Sequence, residues 1–90
     1  MPTAIHRQVE SARQGELARV IARMPSGWAV LGDPQITTGY CLLLPDPVVS
    51  DLNALAGQAR RQFLDDMGRL GDAVLAATGG ERINYEILGN

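Results

Sequence analysis

GWAVLGDPQITTGYCLLLPDP, residues 27–47, holds two short apolar runs, 28–31 and 40–44, separated by turn-forming residues 32–39 and closed by Pro45, Asp46 and Pro47. Apolar runs this short, bounded by Gly, Pro and Asp, read as strands buried on at least one face rather than as helices. They are expected to be neighbouring antiparallel strands at the centre of a small sheet. Asp33 precedes Pro34, which pushes it towards extended backbone and marks the connection as a loop. Proline has no ladder donor, so Asp46 and Pro47 end the second strand.

Upstream, Ile5, Val9 and Ala12 are spaced by four and three residues, one apolar stripe of a short amphipathic helix within residues 1–16 that Gly15 ends. LARVIARM, residues 17–24, carries β-branched Val20 and Ile21 and runs straight into Pro25, Ser26 and Gly27. It is expected to be a strand that hairpins into the first central one. Downstream, Ser50 or Asp51 N-caps a helical turn. The main helix is expected over residues 57–78, about 33 Å at 1.5 Å per residue. Its apolar stripe is Ala59, Phe63, Met67, Leu70 and Val74, widened by Leu64 and Leu75, and should cover one face of the sheet. Arg60, Arg61, Asp65, Asp66, Arg69 and Asp72 are expected mostly off that stripe, in solvent, with Asp65 and Arg69 paired one turn apart. Gly68 and Gly71 each cost up to about 1 kcal/mol relative to Ala, a cost that close approach of the helix backbone to a strand would offset. Gly79 and Gly80 end the helix. RINYEIL, residues 82–88, then alternates Ile83, Tyr85 and Ile87 against Asn84, Glu86 and Leu88, the period-two pattern of a strand with one buried face.

Ninety residues without a repeat or linker make one domain, and 46% hydrophobic with 20% charged residues is ordinary globular composition. The net charge is −2 and all eight basic residues are arginines scattered from Arg7 to Arg82. No basic face of the kind that neutralises phosphates is visible, so no nucleic-acid partner is expected. No run approaches the roughly 18 to 20 apolar residues of a membrane span, and the N-terminus lacks the apolar core of a secretory signal. No membrane partner is therefore expected, and the location is expected to be cytoplasmic. The single Cys41 lies in an apolar strand, which fits a buried reduced thiol. One Cys and one His cannot assemble a structural zinc site, and neither a metal nor a cofactor is expected.

Among chemistry-bearing residues, His6 reads as an exposed helix residue rather than a general base, and Asp65 and Asp66 point about 100° apart and do not share a site. Trp28 reads as core. Asp33, in the loop after a central strand, and Asn84, an amide within an apolar strand, are the polar residues best placed to matter. The plainer alternative is that Asp33 forms a turn with Pro34 and Asn84 points at solvent.

The order and wording of the chain, WAVLGDPQ, then GYCLLLPD, then a capped turn, a long helix and RINYEILGN, resemble the histidine-triad (HIT) superfamily, closest to bacterial diadenosine tetraphosphate hydrolase-like proteins. The resemblance covers residues 6–90. It implies an α+β fold, an antiparallel sheet with one long helix packed on it and a short N-terminal helix, as a single partial domain over residues 1–90. It also implies a homodimer and chemistry at the α-phosphate of a nucleotide or dinucleoside polyphosphate. In that family a His-x-His-x-His strand follows the stretch matched here by INYEILGN, and one of its histidines forms a nucleotidyl intermediate. The chain reaches Asn90 before such a motif, so it is expected to be incomplete at the C-terminus and catalytically inactive, with no catalytic residue of its own. The resemblance carries over a substrate-binding role for Asn84, for Asp33 and for Asn90. Asp33 stands one position beyond the family's strand-end Asp, whose place Gly32 takes. Tyr40 stands where the family usually has His, and Asp46 where a basic residue is frequent. A second reading needs no ligand: a non-enzymatic module that self-associates or pairs through the exposed edge of its last strand.

Overall fold

The computed structural model describes residues 3–88. Helix α1, Ala4–Arg13, starts at a capping box: the Thr3 hydroxyl accepts from the His6 N–H at 3.3 Å, and the His6 ring Nδ1 accepts from the Thr3 N–H at 3.1 Å. Gly15, at φ +74°, turns the chain away from it. Three strands follow, β1 Val20–Met24, β2 Gly27–Leu31 and β3 Cys41–Pro45, paired antiparallel in the order β1-β2-β3. The central pair is as expected from its apolar runs, and β1 is shorter than residues 17–24. The register of β1 on β2 slips between Val20 and Ala22, a bulge that β3 on β2 lacks.

Strand alternation gives the sheet two faces. Val30 and Leu44 point to one, where they pack with Val9 of α1 as the main core, and Ile5, Leu17, Trp28 and Leu42 close around them. Ala29 lies on the opposite face and is buried too. Gly27 has no room for a side chain, since a Cβ there would fall on the Leu44 carbonyl, 2.8 Å from its carbon.

After a 3-10 turn at Leu52–Ala54, capped by Asp51, helix α2 runs from Gly57 to Thr78 as its periodicity predicts and packs on β3. Its first half meets the β1–β2 turn at Ser26, and its last turns meet Gly39 ahead of β3, so it runs antiparallel to that strand. Gly79, at φ +68°, ends it in the left-handed conformation, its N–H donating to the Leu75 carbonyl. The molecule is thus α+β, with a three-stranded antiparallel sheet, a short N-terminal helix and one long helix.

Three of these expectations need correction. Residues 82–88 form no strand: no ladder pairs them with β1, β2 or β3, and Tyr85, Ile87 and Leu88 are 50%, 46% and 64% exposed. Alternation supplies two faces, but a strand also needs a neighbour to take its backbone groups. Asp66 is fully buried rather than solvated. It sits three residues after Phe63 and four before Leu70, on the same side of α2, and hydrogen bonds make that burial tolerable. Arg69 pairs with Asp66 at 3.7 Å rather than with Asp65.

Candidate functional site

The best-built surface feature is the loop between β2 and β3, which carries Asp33. Its base is closed by the Gly32 N–H donating to the Tyr40 carbonyl at 2.8 Å. Inside, the Gln35 carboxamide donates to the carbonyls of Gly32 at 2.6 Å and Tyr40 at 2.8 Å, and accepts from the Gly39 N–H at 3.2 Å. One side chain with both donors and an acceptor thereby satisfies backbone groups from both ends of the loop. The Tyr40 ring covers Gly32, where a Cβ would come 2.9 Å from its Cγ, and a Cβ at Gly39 would lie 3.3 Å from Val74 of α2. On this braced frame Asp33 is exposed, and Ile36 is 79% exposed at the tip. No local pattern in the sequence marks Gln35, because its partners stand at the two ends of the loop.

Asn84 is also exposed, on the unpaired segment that returns along α2 after Gly80. Its neighbour Tyr85 rests on Gly71, where a Cβ would come within 2.9 Å of the ring Cζ. The close approach foreseen for this glycine is real, but it is made by a side chain. Gly68 has open space instead. Asp33 and Asn84 are therefore both carried by segments that lie against the C-terminal half of α2, and no hydrogen bond joins them among the described residues. Asn90 lies outside the described residues.

The opposite end of the sheet holds two carboxylates, Asp66 fully buried and Asp46 partly buried. Asp46 accepts from the Arg13 guanidinium through both Nε, 3.2 and 3.1 Å from its two oxygens, and Nη2, and from the Trp28 indole at 2.9 Å. One carboxylate thereby ties α1 and β2 to the end of β3. The Arg13 hydrogen bond is the main reason its pKa lies below the ordinary carboxylate value. Asp66 accepts from the Ser26 hydroxyl at 2.6 Å, the Ser26 N–H at 2.9 Å and the Gln62 amide at 2.9 Å. Burial pushes its pKa up, but Ser26, Gln62 and Arg69 together outweigh that and hold it below the ordinary value. Asp46, Ser26 and Gln62 line a small half-open cavity of about 160 Å³ with Pro25, Pro45 and Pro47.

Chemically, the exposed Asp33 carboxylate can accept from ligand hydroxyls, and the Asn84 amide can both donate and accept. His6 is exposed on α1 with its ring nitrogen held by Thr3, as a helix-surface residue should be. The Cys41 thiol is half-buried, and desolvation raises its pKa, away from a reactive thiolate. Among the described residues no cluster of His, Cys, Asp or Glu side chains is arranged to hold a metal ion, and no helix is long and apolar enough to cross a membrane. Comparison with family models, curated proteins and solved structures finds no match to this chain.

Proposed function

We propose that these residues are the nucleotide-cradling scaffold of a HIT-like phosphohydrolase or nucleotidyltransferase, and that the 90-residue chain does not itself hydrolyse dinucleoside polyphosphates. The observation that carries this reading is the Gln35-braced loop, which holds an exposed Asp33 just beyond the end of β2, one position past the place where the resemblance puts a ribose-binding carboxylate. The order of three antiparallel strands followed by one long helix supports it as well. The unpaired state of residues 82–88 counts against a finished pocket, since Asn84 has no sheet to fix its direction. The test is a titration with AMP and with a diadenosine polyphosphate, followed by amide chemical shifts, beside a hydrolysis assay. Shifts at Asp33, Gln35 and Asn84 that Asp33→Asn weakens, without turnover, are expected. Turnover that survives repurification, or an absence of shifts at millimolar nucleotide, contradicts the proposal.

One observation favours the second reading independently. The 82–88 segment exposes Tyr85, Ile87 and Leu88, and β3 is an edge strand without the bulge that blunts β1. Unpaired backbone beside apolar side chains favours addition of a strand, by a second copy or by a partner's extended segment. Light scattering across a concentration series tests it: mass should rise with concentration, and a monomer throughout contradicts it.

A further inference from the structure

Residues 82–88 make no hydrogen bond, backbone or side chain, to another described residue. An extended segment without such bonds ordinarily moves freely, because nothing offsets the entropy of ordering it. This one is nonetheless laid along α2, where the Tyr85 side chain makes contact with the helix. Its ring lies against the buried Gly71 and borders a shallow apolar groove formed by Leu64, Met67 and Gly68. The geometry is specific to one of the two interior glycines. A Cβ at Gly71 would collide with the tyrosine hydroxyl, whereas a Cβ at Gly68 meets nothing within 4 Å.

We infer that Tyr85 seated on Gly71 is a latch that parks the 82–88 segment on α2, and that the segment exchanges between this parked state and a released one. Glycine at 71 leaves room that alanine would fill, at the cost of helix propensity. The parked state holds the backbone of Ile83 to Leu88 unpaired against α2, so release presents a strand-competent segment whole. The latch deepens the strand-pairing reading above by supplying its gate, but it is a property of the isolated chain and is tested without any partner.

The experiment is backbone relaxation and cross-relaxation by NMR on dilute protein, with Gly71→Ala, Gly68→Ala and Tyr85→Ala. In the unaltered chain the Tyr85 ring should show cross-peaks to Gly71, and amides 83–86 should have order parameters near those of rigid backbone, about 0.8. Gly71→Ala and Tyr85→Ala should abolish the cross-peaks or the ring itself and bring those amides below about 0.6. Gly68→Ala should leave both unchanged. Signals from β2 and β3 report whether each variant is folded, and Tyr85→Ala carries the test if Gly71→Ala is not. Unchanged order parameters in Tyr85→Ala, or equal release by Gly68→Ala, overturns the latch. A monomeric chain with the expected relaxation removes only the strand-pairing reading.

Discussion

The pair β2–β3 and the 82–88 segment are made of similar material, apolar residues in runs that suit extended backbone, yet one is a ladder and the other a strap. In β2–β3 each residue from Gly27 to Leu31 faces one from Pro45 to Cys41 in unbroken register, α1 packs on the Val30 and Leu44 face, and α2 packs on β3. Residues 82–88 have the cleaner alternation and no strand paired with them among the described residues. Side-chain pattern therefore proposes a strand, and pairing makes it one. The same contrast separates the two ends of the molecule. The end at Ser26 and Asp46 is fastened by the buried Asp66 and the partly buried Asp46, and the end at Asp33 and Asn84 presents exposed polar groups from segments that lean on α2.

The strongest way to break the contrast is at the fastened end. Asp66→Ala removes the acceptor for Ser26 and Gln62 and leaves their partly buried polar groups without it, which should cost about 3 kcal/mol by urea denaturation. A loss below about 1 kcal/mol would mean that the fastening is not carried by this carboxylate. Asp46→Asn should lower Tm by about 5 °C, because the neutral amide keeps one acceptor for Trp28 but loses the charge facing Arg13.

Acid tests both carboxylates together. Each folded-state pKa lies below the ordinary 3.8, so the unfolded chain binds more protons in the acid range. The stability they contribute is complete above that value and is lost as pH falls through the folded pKa values. Urea midpoints should be flat from neutrality to mildly acid pH and fall steeply below about 4, with Asp66→Ala showing a shallower fall.

The helix glycines sharpen the comparison from the other side. Gly68→Ala should stabilise α2 by up to about 1 kcal/mol, because the new methyl meets open space. Gly71→Ala should give a smaller gain or none, since displacing Tyr85 offsets it. Smallest of all, Gln35→Ala should leave global stability nearly unchanged while speeding amide exchange at Gly32 and Gly39 by about tenfold, equivalent to about 1.4 kcal/mol of local opening.

The sequence made the elements legible wherever a local rule was sufficient. Glycines 15 and 79 mark helix ends, Phe63 and Leu70 give α2 its period, and the turn residues bracket β2 and β3. It did not reveal what depends on contacts between distant residues. Asp66 looks like any helix-surface acid until Ser26, forty positions away in sequence, supplies two donors. Gln35 reads as a loop residue until both ends of the loop meet on it. Residues 82–88 read as a strand because periodicity describes faces and says nothing of a partner. For the candidate site, the position of Asp33 on the loop after β2 was legible and its bracing was not, while Asn84, expected within a strand, lies on an unpaired segment.

Hydrogen exchange of dilute protein, resolved by residue, compares the two regions on one scale. Amides in Ala29–Leu31 and Leu42–Leu44 that pair across β2–β3 should exchange slowly, near the rate set by global unfolding, while Ile83 to Leu88 exchange at close to the rate of free chain. Protection of Ile83 to Leu88 as strong as that of β3 in the dilute monomer would show that they are paired after all, and the division between ladder and strap would be wrong.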